Sequence, residues 1–169
     1  MELVNSVLLY FSFPETQQAV LVPGVLALLA LCYLQPEERI PFFGLLVFST
    51  LASYTSAEWN VTEELRQLFI LPCAFFSVAG MLWARMPISA HSAYAATYLS
   101  LWTVDMSMAM QLVYDGEATW TTFFHGVGGA GYQDGLFVFP VVAAALVPYA
   151  VWRHRKEVAL PVALSPRFA

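Results

Sequence analysis

The sequence predicts an all-α polytopic membrane protein, a bundle of about five transmembrane helices, and three observations carry that prediction. Apolar stretches recur at 18–34, 40–56, 68–84, 88–113 and 136–152, the charges gather in the joins between them, and the basic residues fall almost entirely on alternate joins. Each stretch approaches the roughly 17 to 25 residues a helix needs to cross about 30 Å of hydrocarbon, where backbone polar groups find partners only within helices or closed barrels. Composition agrees, with 59% of residues hydrophobic and 11% charged, against about 25% charged in an ordinary soluble domain. No stretch remains for a separate soluble domain and no repeat marks a linker, so residues 1–169 read as a single transmembrane helical domain.

Residues 3–13 are apolar but end at Pro14, too short a run to span a bilayer. They are expected to form a short N-terminal interfacial helix or to pack over the bundle. A cleaved signal peptide fits poorly, because such peptides open with basic residues and Glu2 is the sole charge before Glu15. Proline and glycine punctuate the spans: Pro23 and Gly24 in the first, Pro72 in the third, Pro140 and Pro148 in the fifth. Each proline removes a backbone donor and favours a kink, and kinked helices leave cavities between them. The plainer reading is that Pro and Gly are simply commoner in membrane helices than in soluble ones. Cys32 and Cys73 lie in apolar stretches, form no C-x-x-C pair, and are expected to pack as buried thiols.

The fourth stretch is the most informative. Ser89, Ala93 and Thr97, and Ser92, Ala96 and Ser100, repeat every four positions, which suits close helix packing and marks this span as the centre of the bundle. His91, Tyr94, Tyr98, Trp102 and Asp105 fall on one helical face, and Asp105 is the one charge expected within a span. An ionised carboxylate there costs a few kcal/mol, so it needs a partner or a proton. The stripe is either a hydrogen-bonding seam that fixes the packing or a ligand or proton path ending at Asp105. Met106, Met108 and Met110 alternate and cannot share a face, and the three histidines are spread along the chain, so no metal site and no cofactor are expected.

Between the fourth and fifth spans lies a long outer loop without Lys or Arg. Trp120, Phe123 and Phe124 are expected in a short interfacial helix that could meet a partner, followed by Gly126, Gly128, Gly129 and Gly131. These glycines are no phosphate loop, since they lack the Lys and the Ser or Thr of that motif. His125 and Asp134 are the candidates for a catalytic base and its orienter.

Alternating helices put Arg39, Arg85, Arg153, Arg155, Lys156 and Arg167 on one side and only Arg66 on the other. The basic side should be cytoplasmic, which places the N-terminus outside and the C-terminus inside, in a multi-pass protein of a bacterial inner membrane. The outer side collects Glu2, Glu15, Glu58, Glu63, Glu64, Asp115, Glu117 and Asp134. The expected partners are the lipid bilayer and a membrane protein or second copy of the chain, and not nucleic acid. Two functions follow as expectations. One is a non-enzymatic component, either a helical subunit of a larger membrane assembly or a small transport or binding protein using the Asp105 stripe and the acidic outer face. The alternative is a membrane-embedded enzyme acting on lipid or peptide at the outer interface through His125 and Asp134.

Overall fold

The computed structural model describes residue 9 and residues 11–61, 66–69, 73–116 and 133–159. Helices dominate these residues. Helix α1 runs through three consecutive segments, Pro14–Thr16, a π-helical Gln17–Leu21 and Val22–Cys32; α2 opens with the 3-10 turn Pro36–Glu38 and continues as Arg39–Thr55. Helix α3 is Cys73–Trp83, α4 is Ala90–Tyr114 and α5 is Gly135–Ala159. A short antiparallel hairpin pairs β1 (Glu58–Val61) with β2 (Arg66–Phe69), setting Glu58 opposite Phe69 and Val61 opposite Arg66.

Helices α2, α4 and α5 match their predicted stretches apart from the ends. The third stretch does not: Leu68 and Phe69 belong to β2, and the helix occupies only Cys73–Trp83, well short of a bilayer's width. A short apolar run has no periodicity that separates strand from helix, and Pro72 disfavours helical geometry in the residue before it. The α1–α2 join is also sharper than a simple return, with a 114° bend between the two helices. Pro36 accounts for the break, since it holds Gln35 extended at φ −70°, ψ 149°. Over Gly135–His154, α5 has both the length and the apolar character to cross a bilayer; α1 and α2 meet that test only when taken together. Of the N-terminal stretch, Leu9, Phe11, Ser12 and Phe13 are described; the first three are helical and exposed, and Phe13 is a half-buried bend before Pro14. Cys73 is half-buried as a thiol near Ser56, whereas Cys32 is exposed, contrary to its expected burial.

Helix α4 is the hub, touching α1, α2, α3 and α5, as its small residues led one to expect. Ser89 caps it, its hydroxyl accepting the Ser92 N–H at 3.2 Å, an interaction usually worth about 1 kcal/mol. One pole of the bundle gathers the end of α1, the start of α2 and the start of α4, with the middle of α5 alongside. Tyr33 stacks on His91 there, with ring centroids 5.4 Å apart. Glu38 at the α1–α2 join bonds to the cap of α4. Helix α5 lies antiparallel to α4, since Asp134 before its start faces Asp105 while Ala144 lies beside Ala90, His91 and Tyr94.

The packing inverts the usual soluble pattern. The interior holds small and hydroxyl side chains, among them Ala27, Ala93, Ala96 and Ala143, with Ser49, Ser53, Thr97 and Ser100 all at 0% exposure. Many large apolar side chains point outward, with Leu28 62% exposed, Phe48 65%, Ile40 85% and Trp83 87%, while Phe42, Leu45, Val78, Leu101, Val104 and Leu136 are buried beside the small residues.

Candidate functional site

The stripe on α4 faces α1 and α5 and divides into a packed middle and two poles. Tyr98 is buried and its hydroxyl donates to the Val20 carbonyl at 2.8 Å; Tyr94, half-buried, reaches the Pro23 carbonyl at 3.5 Å. In a stretch where π turns and a proline disturb the ordinary ladder, donors from a neighbouring helix can satisfy backbone carbonyls. Gly24 makes room for this contact, since a Cβ at that position would stand 2.9 Å from the Tyr98 hydroxyl oxygen. The Pro23–Gly24 pair is therefore a seat for Tyr98. Trp102 is half-buried against the same core.

The poles differ in character. His91 is exposed and stacked on Tyr33. Asp105 is half-buried, makes no hydrogen bond among the described residues, and stands near enough to Asp134 for the two carboxylates to repel. Asp134 in turn caps α5: Oδ1 accepts the Leu136 N–H at 2.9 Å, and its carbonyl accepts from Phe137 and Val138 at 3.0 Å. Asp134 thus sits at the positive end of the α5 dipole, which lowers the cost of keeping its charge there. His125, Trp120, Phe123 and Phe124 lie outside the described residues, so the expected His125–Asp134 pair and the aromatic interaction surface have no structural description.

Glu38 escaped the sequence reading. It is 6% exposed, and its Oε2 accepts from Ser92 Oγ at 2.9 Å, Ser89 Oγ at 3.1 Å and, at the long limit of 3.4 Å, the Gln35 N–H. A carboxylate at the N-terminus of α4 gains from charge-assisted hydrogen bonds and from the helix dipole. The one local signal was Gln35 three residues before Glu38, a capping-box spacing, but a charge in a join reads as solvated until its distant partners are known. Helix α2 also buries Ser49 Oγ with no partner among the described residues.

Two open apolar grooves flank the bundle. One, about 530 Å³, lies between α2 and α3 and is floored by Gly44, Ser77 and Gly80. The other, about 300 Å³, lies between α1, α4 and α5 and is lined by Leu26, Leu29, Ala30, Tyr33, His91 and Ala144, among others. Among the described residues no three His, Cys, Asp or Glu side chains converge on a point that could hold a metal ion. No family model matches the chain, and neither a curated protein nor a solved structure matches it.

Proposed function

We propose that the chain is a non-enzymatic integral membrane protein, a helical subunit of a larger membrane assembly, inserted with its basic pole cytoplasmic and its N-terminus outside. The inverted packing carries this reading. In water, apolar surface costs about 25 cal/mol per Å², and soluble monomers rarely expose contiguous apolar patches beyond a few hundred Å². In hydrocarbon the same side chains are at home, and association instead favours small and hydroxyl residues that let helices approach closely. Helix α5 fits the same picture, because only 22% of its apolar window is buried, unlike the core helix of a soluble protein. Helix α4 is less apolar because its neighbours shield it. Exposed Tyr33, Trp83 and Trp152 at the basic pole, and Tyr54 and Tyr114 at the other, suit interfacial belts.

A subunit fits better than a conduit because Tyr98 and Glu38, two buried polar side chains, are engaged in packing, Tyr98 on Val20 and Glu38 on Ser89 and Ser92, although Ser49 Oγ has no partner among the described residues. The second reading, a small transport or binding protein, rests on Asp105, whose carboxylate has no hydrogen bond among the described residues. Asp105→Asn separates the two, since a packing role tolerates the amide whereas a titrating role loses activity in a folded protein. The membrane reading itself is tested by alkaline carbonate extraction of expressing cells. The chain should stay with the sedimented membrane, and release into the supernatant refutes the reading.

A further inference from the structure

The cover around α4 is incomplete over its second half. Thr103, Ser107, Met110 and Tyr114 are all exposed, and their i, i+4, i+7, i+11 spacing, that of the a and d positions of a coiled coil, sets them in one seam along the helix. At 100° per residue this seam lies roughly opposite Asp105. The 25-residue helix rises about 37 Å, so Thr103 near its middle and Ser107 one turn on stand within about 30 Å of hydrocarbon. Their hydroxyls are left as one donor and one acceptor. Ser107 Oγ donates to the Thr103 carbonyl at 2.6 Å, which occupies its proton and leaves its lone pairs open. The Thr103 hydroxyl makes no hydrogen bond among the described residues, so its proton is unused.

From this arrangement we propose that the seam joins two copies of the chain, paired in parallel about a two-fold axis, with each Thr103 hydroxyl donating to Ser107 Oγ of the other copy. The proposal rests on the membrane reading above and names the subunit's partner. Complementarity chooses the occupant. Acyl chains offer these hydroxyls neither donor nor acceptor, whereas a second copy satisfies both, because a two-fold axis sets Thr103 against Ser107 and Ser107 against Thr103. A single topology makes the two copies parallel, and the seam's repeat is that of a left-handed helix pair. No charge lies on the seam to repel its own image. Asp115, one residue beyond Tyr114, is exposed about 100° round the helix, at the watery end where salt screens it.

The test places single cysteines in the full chain, with Cys32 and Cys73 changed to serine, and oxidises them in native membranes. Met110→Cys and Tyr114→Cys should give disulfide-linked dimers of this chain. Leu28→Cys, at a position 62% exposed on α1, should not. Association is then measured in mild detergent by energy transfer between labelled copies. Thr103→Val keeps the side chain's shape and removes the donor from both copies, so pairing should weaken about threefold to thirtyfold, and Ser107→Ala should do the same by removing the acceptor. Both changes lie on an exposed face and leave the interior of the bundle unaltered. A seam that meets only lipid gives no dimer and no loss in Thr103→Val, and either result overturns the proposal. Cross-linking to a different protein, or equal cross-linking from Leu28→Cys, overturns it as well. A chain that resists carbonate yet stays monomeric refutes this inference alone; a chain stripped by carbonate refutes it together with the membrane reading.

Discussion

At the scale of single residues, Gly24 and Tyr98 act as one joint, and a double-mutant cycle exposes it. Gly24→Ala places a methyl 2.9 Å from the Tyr98 hydroxyl oxygen and should cost about 1–3 kcal/mol. Tyr98→Phe loses the hydrogen bond to Val20, about 1 kcal/mol. In the double variant the nearest ring carbon is 3.4 Å away, so the losses should be less than additive, with a coupling of about 0.5–3 kcal/mol in detergent unfolding. Strict additivity would show that the two residues do not share a joint. Glu38 offers a second case. Glu38→Ala removes the acceptor for Ser89 and Ser92 and should destabilise the bundle by about 1.5–3 kcal/mol, while Glu38→Gln keeps an acceptor and should cost less. Equal losses would mean that the hydroxyl contacts contribute nothing. Neither role was legible alone: Gly24 read as a kink and Glu38 was not singled out, because their partners lie far along the chain and only the fold brings them near.

Among the elements, α4 shows how packing and sequence agree. Its repeat of small residues marked it as central, and the structure packs α1, α2, α3 and α5 against it. Ala96, at 0% exposure, has no room for a larger side chain, so Ala96→Leu should cost about 1–3 kcal/mol. Leu28, at 62% exposure on α1, has few neighbours to lose, and Leu28→Ala should change stability by no more than about 0.5 kcal/mol. Unfolding of both variants in the same detergent gives the comparison, and the reverse order would contradict the inverted packing. Helix α3 shows the opposite outcome. Leu68 and Phe69 continued the hydrophobicity of the third stretch into a strand, since hydropathy averaged along a short run is blind to which backbone geometry it adopts.

For the whole molecule, orientation is the property most open to direct measurement. The structure gathers the joins bearing Arg39 and Arg85 at one pole, where α5 passes at Ala144 and runs on toward its C-terminal end. Reporter fusions should then behave as cytoplasmic after Ala169 and as exported after Glu117; the same side for both would refute the alternating topology. Hydropathy and charge by themselves determined that the chain is apolar, helical and asymmetric in its basic residues, because these are sums over many side chains that no single contact can reverse. The tertiary structure alone decided that Tyr98 seats on Gly24, that Glu38 caps α4, and that a trough opens between α1, α4 and α5. Each depends on a contact between residues far apart in sequence. A helix's own periodicity says which side chains share a face, but the neighbour that face meets is set only when the whole bundle closes around α4.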